Sequence, residues 1–311
     1  MNPIICIAGP TASGKTALAV ALAREFGGEV VSCDSMQVYR RMDIGTAKPS
    51  LEERQGIVHH MLDVAEPEED FSVSRYCAMA APIVEDIVAR GKTAVIAGGT
   101  GLYMDSLIKG NGFAPFPATG VRERLEAEAD EVGMEVMLGR LAAVDPASAA
   151  RLHLADRKRI LRALEVYYET GETITAHNLR TQAVPPRFTP LWLGLDFENR
   201  RDLYDRIDLR VDLMLEQGLV EEIRGLLASG IPPKATAMQA IGYKEFVAAL
   251  NGERTLDEAA DLVRQSSRRY AKRQLTWFRR NRAIHWLTRG PGMGAEEIIQ
   301  QARQIICDCD K

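Results

Sequence analysis

One stretch near the start of the chain restricts its fold more than any other: Ile4-Ile5-Cys6-Ile7-Ala8-Gly9-Pro10-Thr11-Ala12-Ser13-Gly14-Lys15-Thr16. A β-branched apolar run leads into G-x-x-x-x-G-K-T, and Ala17 to Ala23 then reads as a helix. Strand, glycine-rich turn and helix in that order make the P-loop pattern. The expected fold is α/β, a P-loop NTPase-like parallel sheet flanked by helices. Gly9 and Gly14 let the intervening Pro10, Thr11, Ala12 and Ser13 turn tightly, so that loop N–H groups face phosphate oxygens. The helix adds its positive end. Lys15 is a point charge for the terminal phosphate, and the Thr16 hydroxyl is placed to ligate Mg²⁺. Such a loop reports a di- or triphosphate, not a nucleotide.

The 311 residues suit one large domain or two modest ones, and 46% hydrophobic with 26% charged residues is ordinary for a globular chain. With a formal net charge of −4, any nucleic-acid partner must be met by a local patch. Met1-Asn2-Pro3 runs into the first strand without a signal region, and no apolar run reaches membrane-spanning length. Cys6, Cys33, Cys77, Cys307 and Cys309 follow neither a disulfide framework nor a zinc spacing. The expectation is a cytoplasmic monomer with no membrane partner.

Along the chain, Gly27-Gly28 stops the first helix, and Glu29-Val30-Val31-Ser32-Cys33 reads as a buried strand ending at Asp34-Ser35-Met36-Gln37. Open α/β sheets do their chemistry at the carboxyl ends of strands, so Asp34 faces the P-loop crevice. An Asp there serves equally as an N-cap. Residues 40–67 read as a loop over the active face, with His59 and His60 as structural hydrogen-bonders. Residues 74–90 have helical periodicity, and Thr93 to Ala97 is a buried strand ending in Gly98-Gly99-Thr100. A P-loop hydrolase usually carries an acid at such a strand end to organise Mg²⁺ and water. Its absence points away from a motor ATPase and toward transfer onto an acceptor.

Residues 110–117 read as a linker and 113–184 as an inserted all-helical domain, with helices over 121–139 and 147–171. The core is then discontinuous, 1–112 and 185–311. Thr189 to Leu195 returns to the sheet, and helices follow over 199–217, 219–230, 242–251 and 256–282. From Leu262 to Ala295 there is no Asp or Glu, yet Arg264, Arg268, Arg269, Lys272, Arg273, Arg279, Arg280, Arg282 and Arg289 all fall there. Tyr270, Trp277, Phe278 and Trp286 are interleaved, either as core anchors or as stacking surfaces for bases. A second cluster, Arg157-Lys158-Arg159 with Arg162, lies in the insertion. Clustered cations of this kind release counterions from a phosphate backbone, which points to RNA.

Seven segments in order carry a resemblance: Gly9 to Thr16, Asp34-Ser35-x-Gln37-Val38-Tyr39, Asp43 to Pro49, Gly98-Gly99-Thr100, Arg159-Ile160-x-Arg162-Ala163-Leu164-Glu165, Gly242-Tyr243-Lys244-Glu245, and Arg269 to Arg279. From about Ile4 to Trp286 the chain resembles the bacterial tRNA dimethylallyltransferases, also called tRNA isopentenyltransferases. The resemblance implies transfer of a dimethylallyl group from dimethylallyl diphosphate to N6 of the adenosine 3′ of the anticodon, releasing diphosphate. It implies that Thr11 to Thr16 cradle the diphosphate with Mg²⁺ at Thr16, that Asp34 is the general base, and that Arg210 clamps the diphosphate beside Lys15. It further implies tRNA contacts, with the anticodon stem-loop as partner, at Asp34, Ser35, Met36, Gln37, Thr100 and Arg122. The remaining implied contacts are Lys158, Arg159, Ile160, Leu161, Arg162, Gln239, Ala240, Ile241, Gly242, Tyr243 and Lys244. The alternatives are a prenyltransferase of free adenine nucleotides and an ATP-dependent kinase or RNA-binding ATPase.

Overall fold

A computed structural model describes residues 4–110, 119–182 and 185–309. Met1-Asn2-Pro3 and all of the expected linker except Gly110 lie outside the described residues. The chain forms two compact units, one from Met1–Gly110 with Arg187–Lys311 and the other from Asn111–Pro186.

The first unit holds a six-stranded sheet: β1 (Ile4–Ala8), β2 (Glu29–Ser32), β3 (His59–His60), β4 (Ala94–Gly98), β5 (Leu191–Phe197) and β6 (Ile284–Arg289). Every pairing is parallel, in the order β3-β2-β4-β1-β5-β6. β1 is buried at all five positions and β5 at six of seven, as a strand with both faces covered requires. Its helices are α1 (Lys15–Glu25), α2 (Leu51–Arg54), α3 (Val73–Ala89) and α4 (Gly101–Lys109) before the insertion. The second unit supplies α5 (Val121–Val132), α6 (Met134–Val144), α7 (Pro146–Ala149), α8 (Arg157–Thr170) and α9 (Ile174–Gln182). The first unit resumes with α10 (Arg200–Glu216), α11 (Leu219–Ala228), α12 (Tyr243–Leu250), α13 (Leu256–Phe278) and α14 (Ala295–Cys309).

The sequence reading misses β3, β6, α2, α4, α9 and α14, and it fuses α5 with α6 and α7 with α8. Gly133, at φ 80°, breaks the first of these fused helices in two. β6 is buried only at Ile284 and Leu287, and it follows a helix rich in cations, so no continuous apolar run announces it. The long helix accordingly stops at Phe278 rather than near 282.

The two histidines form the edge strand and are hydrogen-bonded to residues beside it. His59 Nδ1 meets Ile57 O at 2.9 Å, and His60 Nε2 meets the Glu29 carboxylate at 2.7 Å. Glu29, 4% exposed, is also gripped by Arg90 at 2.5 and 2.9 Å and by Lys92 at 2.8 Å. The Arg90 hydrogen bonds above all hold this carboxyl well below the usual carboxylate range. The second unit closes its own core around Leu125, Met137, Leu141, Ile160, Leu161 and Leu164. No helix among the described residues is long and apolar enough to cross a membrane.

Candidate active site

The loop between β1 and α1 opens into a cavity of about 360 Å³. Gly14, the N-cap of α1, sits at φ 96°, where a side chain would be strained, and the first turn of α1 has no acidic residue to offset its positive end. Ser13 Oγ is 1% exposed as a residue and has no hydrogen-bond partner among the described residues. A buried hydroxyl of that kind is complementary to an oxyanion or cation in the loop. Lys15 Nζ donates to Pro10 O at 2.6 Å. Burial, reinforced by the Arg210 guanidinium and opposed by Asp34, pulls Lys15 from 10.5 down to about 7. Arg210 Nη1 donates to Thr11 Oγ1 at 3.2 Å, and burial lowers its pKa too.

This lysine is expected to set the pH dependence of any anion held in the loop. A diphosphate beside Lys15 raises its pKa, so binding takes up a proton wherever the free lysine is neutral. Affinity for inorganic pyrophosphate is therefore expected to be level below pH 7 and to fall above it, by up to about tenfold per pH unit. Calorimetry in buffers of different ionisation enthalpy reads the proton uptake directly. Lys15→Met subtracts the ligand's own titration, and an unchanged pH slope in that variant would contradict the assignment.

Asp34 leaves β2 and does two things at once. Its Oδ1 accepts from the N–H groups of Met36 at 2.9 Å and Gln37 at 3.3 Å, capping the turn. Its side chain also lines this first cavity and a second one of about 290 Å³. Arg210, Thr11, Thr46 and Tyr270 line both as well. The second cavity has apolar walls from Met36, Ile207, Val211, Met214 and Ile241, and Gln239, Ala240 and Gly242 also border it. Ser35 N donates to Thr100 Oγ1 at 3.0 Å, joining the ends of β2 and β4. Burial and Asp34 push the Tyr270 phenol up to about 12.

The Gly-Gly-Thr-Gly run after β4 has a steric reason. A Cβ at Gly98 would collide with Cys33 O, one at Gly99 with Gln274 Nε2, and one at Gly101 with the Trp277 ring. α13 thus seats directly on the strand ends. Gln274, 5% exposed, donates from Nε2 to Gly99 O at 2.9 Å and accepts from Thr11 N at 2.8 Å. Trp277 Nε1 donates to Asp105 Oδ2 at 2.9 Å, and Phe278 is core.

Part of the basic stripe is spent inside the unit. Arg264 pairs with Asp212 and Asp261, Arg268 with Asp208, and Arg279 with Asp196. Arg269, Lys272, Arg273, Arg280 and Arg282 are exposed and have no carboxylate partner among the described residues. In the second unit Arg122 pairs with Glu126 and Glu165, Arg159 with Asp156, and Arg162 with Glu165.

Three of the larger side chains expected to touch tRNA are turned inward. Ile160 and Leu161 are 0% and 1% exposed in the core of the second unit, so α8 presents Lys158, Arg159 and Arg162 instead. Tyr243 is 0% exposed, and its hydroxyl donates to Glu222 at 2.6 Å, whereas Lys244 next to it is exposed. Two residues of the cavity were not singled out from sequence. Arg206, one turn before Arg210 on the same helical face, donates from Nε to Ala12 O at 2.9 Å. Glu53 lines the first cavity from α2. The i,i+4 spacing of Arg206 and Arg210 was the available signal for the first; the Ser50-x-x-Glu53 capping box marks the second only as a helix start.

Comparison with known proteins gives a consistent result. The family model described as IPP transferase matches residues 37–281. A tRNA dimethylallyltransferase of Acetivibrio thermocellus is 43% identical over 98% of both chains. The tRNA dimethylallyltransferase 1 of Citrifermentans bemidjiense is 49% identical over 91% of both. Among solved structures, the full-length tRNA isopentenylpyrophosphate transferase of Bacillus halodurans superposes with a TM-score of 0.74 at 39% identity, covering 98% of this chain and 95% of that one. A eukaryotic dimethylallyltransferase studied acting on tRNA superposes with a TM-score of 0.81 at 30% identity, covering 98% and 79%.

Proposed function

The chain belongs to the IPP transferase family, and from that premise we propose that it transfers a dimethylallyl group from dimethylallyl diphosphate to N6 of the adenosine 3′ of the anticodon in tRNA. One observation carries the reading: Asp34 and Arg210 border both cavities, so a carboxylate and a cation face the junction between a phosphate cradle and an apolar chamber.

The adenine amine is a weak nucleophile because its lone pair is delocalised into the ring. As its N6–C bond forms, the Asp34 carboxylate accepts the departing proton. The allylic C–O bond breaks at the other end, and the electron pair leaves with the diphosphate. Loop N–H groups, Lys15 and Arg210 meet that charge with fixed dipoles and cations. Gln274 keeps the loop in register with the end of β4. The hydroxyls of the loop fit Mg²⁺, because Thr16 and the unpartnered Ser13 side chain line the cavity and offer only oxygen. Thr16 would hold the ion, whose charge would further neutralise the diphosphate.

The target base must leave its stack, which costs a few kcal/mol. The exposed cations of α13 and α8 support the reading that the RNA backbone offsets this cost. One assay tests the whole: labelled dimethylallyl diphosphate offered to tRNA and to AMP, with labelled ATP offered to both in parallel. Label entering anticodon-loop adenosine is the expected result. Label entering AMP alone, or phosphate released from ATP, overturns it.

A further inference from the structure

The loop Asp43-Ile44-Gly45-Thr46-Ala47 forms a wall common to both cavities through Thr46, with Gly45 and Ala47 facing the second. A loop seldom holds such a position unaided. Here a single carboxylate from α11 is bound into it. Glu222 Oε2 accepts from the N–H groups of Asp43 and Ile44, both at 2.8 Å, and Oε1 accepts from Gly45 N at 3.2 Å. The fourth donor is the Tyr243 hydroxyl at 2.6 Å on Oε1. Tyr243 is wholly buried, and its ring lies so close to Gly45 that a Cβ there would collide with it. On the far side of the wall, Gln37 Nε2 donates to Thr46 O at 3.3 Å and Ala47 O at 3.1 Å.

We propose that Glu222 and Tyr243 are positioning residues for the transfer reaction: the carboxylate gathers three successive backbone N–H groups, and the phenol fixes the carboxylate. They touch neither substrate. They set where Thr46 and Ala47 stand against the donor, and so act through the wall. The proposal rests on the reading of these cavities as the donor and acceptor sites. It also assigns Tyr243 a role other than RNA contact.

The test uses the full-length protein with Tyr243→Phe, Glu222→Gln and the double variant. Tyr243→Phe removes one hydroxyl from a buried ring and keeps its packing, so it serves if Glu222→Gln folds poorly. The expected result is a rise of about tenfold in the KM for dimethylallyl diphosphate, with kcat less affected and tRNA affinity unchanged. The double variant should be no worse than Glu222→Gln alone, because both act on one contact. Calorimetric titration with inorganic pyrophosphate should weaken in parallel, and it needs no prenyl transfer to be read. A loss of tRNA affinity in Tyr243→Phe, or a lowered Tm with unchanged KM, overturns the proposal. If pyrophosphate binding weakens while no variant or wild-type protein prenylates tRNA, the positioning role stands and the proposed function fails.

Discussion

Asp34→Asn is expected to lower kcat by about 10²–10⁴-fold, the usual worth of a positioned general base. Asparagine keeps a side-chain oxygen where Oδ1 now accepts from Met36 and Gln37, so the turn after β2 is retained. What disappears is the capacity to take a proton from the amine. Pyrophosphate affinity and tRNA affinity should both stay within a few-fold of wild type. Single-turnover prenyl transfer, started with both substrates bound, isolates the chemical step; an undiminished rate would remove Asp34 from its role. Asp34→Ala is a poorer probe, since it also uncaps the turn.

At the other end of the reaction, Arg210→Ala should cost roughly 10²–10³-fold in kcat/KM for the donor, about 3–4 kcal/mol of transition-state stabilisation. The half-buried guanidinium stands near Lys15 and its pKa is lowered by desolvation, so it is held in place against its own solvation. Removing it should leave Tm unchanged or raised while activity collapses, which is the sign of a group kept for function. The loss should also release Lys15, whose pKa is depressed partly by Arg210 and should move up from about 7. Arg210→Lys restores charge but not the planar fork, and should recover only part of the rate. Equal losses for Arg210→Lys and Arg210→Ala, together with unchanged donor kinetics in neither, would show that geometry rather than charge dominates. Unchanged kinetics in Arg210→Ala would refute the clamp.

The legible parts of this molecule were those written in contiguous residues. The P-loop could be read because strand, turn and helix lie within two dozen positions, and β1, β2, β4 and β5 because their core runs are apolar and bounded. β6 could not: two buried residues in six, set among arginines, resemble the helix before it. The same contiguity hides that Ile160, Leu161 and Tyr243 are buried. Neighbours in a helix point in different directions, so a contiguous motif mixes surface cations with residues that hold the helix down. Glu222 carries no local mark, since its partners are brought to it only by the fold, and Glu53 is marked locally only as the acid of a capping box with Ser50.

The side-chain-free steps at Gly98, Gly99 and Gly101 have a consequence for what this scaffold can become. The volume where a water-activating acid would project is filled by Cys33 O, Gln274 and Trp277. An aspartate at Gly99 or Gly101 would have to displace a 23-residue helix that also fastens the loop between β1 and α1, and one at Gly98 would strike the Cys33 backbone. Crowding, and not charge, therefore keeps a side-chain acid off these three positions.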